Sequence, residues 1–365
     1  MTYSPIDLID QVRFHLLKSP PNIQAALNAI NGASQDVAMH PAIVELKRGL
    51  ETGHWQNDKL LQLSTAKGSR IYVGFLKGRE NKVQYLEGFQ FEPYEIAADV
   101  SEALPQSRAM PVLVKRSTLG FHQHQTVALF EDAVAGLPSK AKHPAFYFVD
   151  RFVRRIKSTT RDFIRSMWDQ NEFELLMSAN DESLLEACAV WVHLHEYFHG
   201  WGALPFLENT QAKNSKSAGG FEELRVDVEA LISLASDLAH LRNSQLVFQV
   251  ILTERVFRYA LDYAPETNLD ARASLAALHH AENMPGVIVK TNDGRRMFDP
   301  TLLMPWLMKL QADLTSADAF AAKLPRDRQK AYLESVLEQM AGYDGTWHKP
   351  DWIAKAGKTP EYAWE

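Results

Sequence analysis

A single cysteine, Cys188, occurs in 365 residues. One thiol excludes an internal disulfide and suits a reducing compartment. Long apolar runs are also missing, since no window offers about twenty uninterrupted apolar residues, the length a membrane-spanning helix needs. The start, MTYSPIDLIDQVRF, lacks a basic segment followed by an apolar stretch, so no secretory leader is expected and a cytoplasmic protein is. Neither sign of charge dominates: 39 Lys and Arg stand against 45 Asp and Glu, for a net charge of -6. The basic residues are scattered, which excludes a field that would gather nucleic acid or an anionic membrane. A neutral or small substrate is expected, and the oligomeric state is left open. No internal repeat is visible.

What is present is enough apolar material, 46% of residues, to bury a large core in two domains or one elaborated domain. Ile6, Leu8, Ile9, Val12 and Leu16, then Ile43, Leu46 and Leu50, recur at near-helical spacing, interrupted by Pro20 and Pro21. From Ser69 the pattern changes to RIYVGFL and VQYLEGFQF, β-branched and aromatic, with polar KGREN as the turn of a hairpin. PVLVKR (111 to 116), HQHQTVALF (122 to 130) and PAFYFV (144 to 149) complete about five strands. His122 and His124 share one side of their strand, which fits either a metal or substrate role or a polar solvated face.

After Asp150 the pattern is helical almost to the end. Arg151 to Trp168 reads as a basic amphipathic helix with a solvated face. Ser183-Leu184-Leu185-Glu186 has the form of a capping box and predicts a helix running to His199 and stopping at Gly200 or Gly202. The stretch ENTQAKNSKSAGG is too polar for core and predicts a long mobile loop. Further helices are expected over Phe221 to Leu241, Gln245 to Tyr263, Asp270 to Ala281, Thr301 to Leu314 and Arg326 to Met340. The tail from Gly342 mixes aromatics with Gly and Pro and is expected to pack back onto the surface. The result is an α+β chain: residues 1–150 carry a helical start and a mixed sheet, residues 151–365 are mainly helical, and the two form either separate parts or one integrated unit.

The chemistry concentrates at His195-Glu196-Tyr197-Phe198-His199, an H-E-x-x-H sequence. Two histidines four apart on a helix project from one face and can reach one zinc ion, with the glutamate beside them to act on a water. A catalytic zinc takes three protein ligands, so a third must come from elsewhere. In the H-E-x-x-H-x-x-G-x-x-H arrangement Gly202 fits the glycine, but the third histidine would fall on Pro205, which cannot bind a metal. The other arrangement takes a glutamate from a second helix. Phe221-Glu222-Glu223-Leu224-Arg225-Val226-Asp227 offers one: Glu223 and Asp227 share a helix face, so one carboxylate can ligate while the other holds a ligand histidine. Taken alone, Glu222, Glu223 and Asp227 would also read as an acidic first turn favoured by the helix dipole.

This pair of motifs resembles that of the gluzincin metallopeptidases, and E-E-L-R-V-D is similar to the E-E-x-R-A-[E/D] stretch of the dipeptidyl peptidase III family. The resemblance covers about 35 residues. It departs from that family in its first motif, where the family carries one more residue between Glu and the second His, and in length, since the family's chains are much longer. It implies a zincin-like fold, one zinc ion held by His195, His199 and Glu223, Glu196 as general base, and Asp227, with Glu222 beside it, as supporting carboxylates. The implied activity is hydrolysis of a peptide or a related small amide by activated water. A developing oxyanion needs a further donor. His279 and His280 are the candidates by position, with Tyr259, Tyr263 and Arg255 behind them.

Two other readings use the same residues. Glu196-x-x-His199 together with Asp237-x-x-His240 could belong to a carboxylate-bridged di-iron helical oxidase or oxygenase. Alternatively, the zinc site could be structural, in a non-catalytic interaction protein. His193, Trp191, Tyr197, Phe198 and Trp201 read as packing residues, and Cys188 as a small buried hydrophobe.

Overall fold

The computed structural model describes residues 4–65, 68, 70–77, 84–105, 107–123, 128–130 and 145–356. The described residues divide into two compact units, one drawn from residues 4–95 and 108–150, the other from residues 96–107 and 151–356. The architecture is mixed α and β, with a sheet in the N-terminal half and helices dominating the C-terminal half.

In the first unit four longer helices, α1 (Pro5–Leu16), α2 (Ile23–Asn31), α3 (Pro41–Thr52) and α4 (Asn57–Thr65), and a single helical turn, Gln35–Ala38, precede the sheet. Ser4 caps α1 by accepting from the Asp7 amide, while the Asp7 carboxylate returns a bond to the Ser4 backbone. The apolar stripe read from the sequence is the buried face, with Ile9, Val12, Ile43 and Leu46 fully enclosed. The sheet comprises β1 (Ile71–Lys77), β2 (Gln84–Pro93), β3 (Ala109–Ser117), β4 (Ala128–Phe130) and β5 (Ala145–Phe148), in spatial order β1-β2-β3-β5-β4. Only β3 and β5 run parallel; the other neighbours are antiparallel. On one face Phe89 stacks on Tyr72 and Phe121, and meets Phe146 and Phe148 edge-on. The turn between β1 and β2, and His124, lie outside the described residues. Of the strand expected over 122–130, residues 122 and 123 instead belong to a helical turn, 128–130 form β4, and 124–127 lie outside the described residues.

The second unit holds α5 (Asp181–Phe198), α6 (Lys216–Ala235), α7 (Ser244–Thr253), α8 (Leu269–Glu282), α9 (Leu303–Ala321) and α10 (Arg326–Met340). A small hairpin, β6 (Ile288–Lys290) with β7 (Arg296–Phe298), was not evident in the sequence because each strand is three residues long. Two π-helical turns, Ile156–Thr160 and Glu254–Arg258, interrupt otherwise α-helical segments. The basic stretch from Arg151 departs from its expected solvated face: Arg151 and Arg155 are buried, and Arg155 reaches Glu254 at 3.4 Å. Within the described part of the tail, Trp352 packs near Phe163, Trp168 and Phe257 and its indole donates to Glu282, while residues 357–365 lie outside the described residues. Among the described residues no helix is long and apolar enough to cross a membrane.

Candidate metal centre

The helix that carries H-E-x-x-H has its N-cap three residues before the expected one. Asn180 is in extended conformation and accepts from the Ser183 amide at 2.9 Å, so it, and not Ser183, is the N-cap. Asp181 and Glu182 then sit in the first turn, where the helix dipole favours acid. The C-terminus is read correctly: α-helix ends at Phe198, His199 caps it, and Gly202 follows with φ of +97°. A Cβ at position 202 would stand 2.7 Å from the Asp318 carboxylate and 3.2 Å from Arg225, so both backbone and space require glycine there.

The second motif lies deep in its helix. Since α6 begins at Lys216, Glu222, Glu223 and Asp227 are about two turns in and beyond, not in an acidic first turn, and Glu222 and Asp227 are fully buried. Burial of charge on this scale demands compensation, and each carboxylate has it. Asp227 accepts from the Trp191 indole at 3.0 Å and from Arg255 at 2.6 Å, and bonds His195 Nδ1 at 2.9 Å. Glu222 bonds His199 Nδ1 at 2.9 Å, Arg225 at 2.7 and 3.0 Å, and Lys213 at 2.6 Å. Burial pushes both carboxyls up, but Arg255 and His195 at Asp227, and Arg225 and Lys213 at Glu222, outweigh it and hold both well below the usual carboxylate range.

A carboxylate only accepts, so the proton on each imidazole sits on Nδ1 and each Nε2 turns a lone pair outward. The two Nε2 atoms face each other at 3.1 Å. The Glu223 carboxylate closes the group, 3.1 Å from His195 Nε2 and 3.8 Å from His199 Nε2. Three acceptors in mutual contact repel unless a cation or a proton lies between them. Tetrahedral ligands at about 2.1 Å from zinc stand about 3.4 Å apart, and the observed separations bracket that value. The donor set therefore fits a zinc ion. Burial lowers the His195 pKa, yet Asp227 and Glu223 more than offset it and hold the imidazolium well above its ordinary range, so a proton competes for the same position. Glu196 is buried beside this group, with a carboxylate oxygen within 4.8 Å of ligating nitrogens of both histidines.

Arg255, on the π-helical turn, spans three acids: it bonds Asp227, bonds Asp270 at 3.0 Å, and lies 3.7 Å from Glu223. π-turns recur at functional sites because they re-aim side chains by one position. His279 and His280 are placed elsewhere. His279 Nδ1 meets the Met340 carbonyl at 2.9 Å, and His280 lies between Asp313 at 3.1 Å and the Trp306 indole at 3.0 Å. Both are held by these contacts against α9 and α10. Asp237 and His240 are exposed on turns beyond the end of α6, which removes the second half of a di-iron site. Among the described residues His195, Glu196 and His199 form the one cluster of metal-ligating type. His193 meets the Ser107 hydroxyl at 3.1 Å, and the buried Cys188 thiol is pushed well up by its surroundings, which leaves it inert.

Lys213, Arg225 and the role of Trp191 were missed. Arg225 was within reach of sequence reasoning, being three residues after Glu222 on one helix. Lys213 gave no signal, since a lysine in a Ser- and Asn-rich stretch reads as solvated.

Comparison with known protein families finds no matching family model, and comparison with curated proteins finds no match. Solved structures do match. Dipeptidyl-peptidase III from Caldithrix abyssi superposes with a TM-score of 0.62 at 12% identity, over 92% of this chain and 67% of that one. Dipeptidyl-peptidase III from Corallococcus sp. strain EGB gives 0.55 at 12% identity, over 92% of this chain and 65% of that one. This chain spans about two thirds of their length, and it has the dipeptidyl-peptidase III fold with an H-E-x-x-H cluster set in it.

Proposed function

We propose that the protein is a zinc-dependent hydrolase of peptide or related amide bonds, with His195, His199 and Glu223 as metal ligands and Glu196 as general base. The observation that carries this reading is the convergence of three acceptors at 3.1 to 3.8 Å, two of them on imidazoles whose outer nitrogens are tied to buried carboxylates. Zinc held there would polarise a carbonyl and lower the pKa of water toward 7. Asp227 and Glu222 fix the tautomer and ring orientation of the two histidines. Glu196, adjacent in sequence and space, would take the proton from the attacking water and return it to the departing amine. The fold of two dipeptidyl-peptidase III structures supports a peptide as substrate, and a smaller amide meets the same chemistry.

Glu196→Gln tests the assignment of the base. It preserves volume and removes basicity, so zinc content and thermal stability are expected to persist while peptide turnover falls by about 10²- to 10⁴-fold. Equal turnover by wild type and variant would take the base away from Glu196. A wild type that binds zinc and cleaves no peptide or amide would favour the structural-zinc reading.

A further inference from the structure

Lys213 is the least expected buried group in the second unit. Its side chain is fully enclosed on a 3-10 turn, Thr210–Lys213, within a stretch whose composition predicts a mobile loop. A lysine at that depth is tolerated only when its charge and its donors are met. Its ammonium bonds the Leu204 carbonyl, the Glu222 carboxylate at 2.6 Å, and faces Asp318 at 3.6 Å. Asp318, from α9, accepts in turn from the amides of Ala203 at 2.6 Å and Leu204 at 3.1 Å. One ammonium thus ties together the chain leaving the H-E-x-x-H helix, the helix carrying the second motif, and α9.

Every one of these ties leads to His199. Glu222 holds its Nδ1. The segment that Lys213 grips at Leu204 continues into Phe206, whose amide donates to the His199 carbonyl at 2.9 Å and whose ring lies 5.0 Å from the imidazole. Arg225 already grips Glu222, but from the same helix, three residues away. Arg225 also donates to the Phe198 carbonyl at 3.0 Å, so it orients the carboxylate against the end of α5, whereas Lys213 joins it to the segment that follows His199. His195 has a separate support in Asp227, Trp191 and Arg255.

We infer that Lys213 is a positioning residue for His199: it pins residues 203–213 as a fixed strap and so sets the orientation of one ligand and the affinity for metal. This rests on the zinc reading above. The test uses the full chain and reads metal affinity and backbone protection, neither of which requires turnover. Zinc affinity is measured by chelator competition for wild type, Lys213→Met, Glu222→Gln, Asp227→Asn and the doubles, with amide exchange at Phe206 in zinc-free protein. Lys213→Met is expected to weaken zinc binding about 10- to 100-fold, as loss of a ligand's outer support does, and to speed exchange at Phe206. Because one of its two routes to His199 runs through Glu222, its effect should be clearly smaller in the Glu222→Gln background and persist in full in the Asp227→Asn background. Wild-type affinity in Lys213→Met overturns the inference, as does an equal loss in both backgrounds. Should Lys213→Met not fold, Asp318→Asn carries the test. Faster Phe206 exchange with weaker zinc binding then supports the strap, and wild-type values for both overturn it. A wild type that binds no zinc overturns the functional reading and this inference with it; zinc-binding wild type with an indifferent Lys213 overturns this inference alone.

Discussion

Asp227 has no exposed surface and bonds the Trp191 indole, the His195 ring and the Arg255 guanidinium, so its charge is fully committed. Asp227→Asn keeps the shape but replaces one acceptor oxygen by a donor. The variant is expected to bind zinc about 10- to 100-fold more weakly, measured by chelator competition. Unchanged affinity would remove Asp227 from the support of His195. At this scale the sequence was informative where spacing is local. His195, Glu196 and His199 are tied by helical geometry alone, and Glu223 with Asp227 by the same i to i+4 rule. Partners distant in sequence were not legible: Lys213 needs Leu204, Glu222 and Asp318, and Arg255, named only as a possible oxyanion donor, bonds Asp227 and Asp270. For His279 and His280, position along the chain suggested a role at the site, and the contacts they make are with Met340, Asp313 and Trp306 on α9 and α10.

Among the elements, the helices and longer strands announced themselves through periodicity, and their ends did so less well. Asn180 outcompetes Ser183 as cap, although both have suitable side chains, because only Asn180 is extended and three residues before a free amide. The hairpin β6-β7 has too few residues for alternation to show, and a buried carboxyl beneath it was equally hidden. Glu172 accepts from the Trp168 indole at 2.6 Å and the Phe298 amide at 3.1 Å, tying β7 to the aromatic cluster. Burial pushes its pKa up from 4.5 to about 7. The folded state thus favours the neutral acid. Its stabilising contribution is complete below the unfolded value and is lost as pH rises through about 7, a span worth on the order of 3 kcal/mol. Glu172→Gln is expected to abolish this slope: the melting temperature of wild type should fall relative to the variant between pH 5 and pH 8. Parallel profiles would place the carboxyl in a more hydrated setting than the structure gives it.

For the whole molecule, the mixed α and β character and the helical second half followed from pattern, and the sheet order did not, because β4 and β5 exchange places in space relative to the chain. A buried group of acceptors with their own charged supports makes stability depend on the ion that joins them. If zinc is held as proposed, removing it with a chelator should lower the melting temperature, since free zinc at about 1,000 times its dissociation constant adds about 4 kcal/mol. Readdition of zinc should restore the melt, and an unresponsive melt would argue against a site of that affinity.

The most direct test of the zinc claim is anomalous scattering at the zinc edge from crystals grown with equimolar zinc. One peak is expected among His195 Nε2, His199 Nε2 and the Glu223 carboxylate, about 2.0 to 2.2 Å from each. No peak there, or a peak held by other residues, would contradict the account.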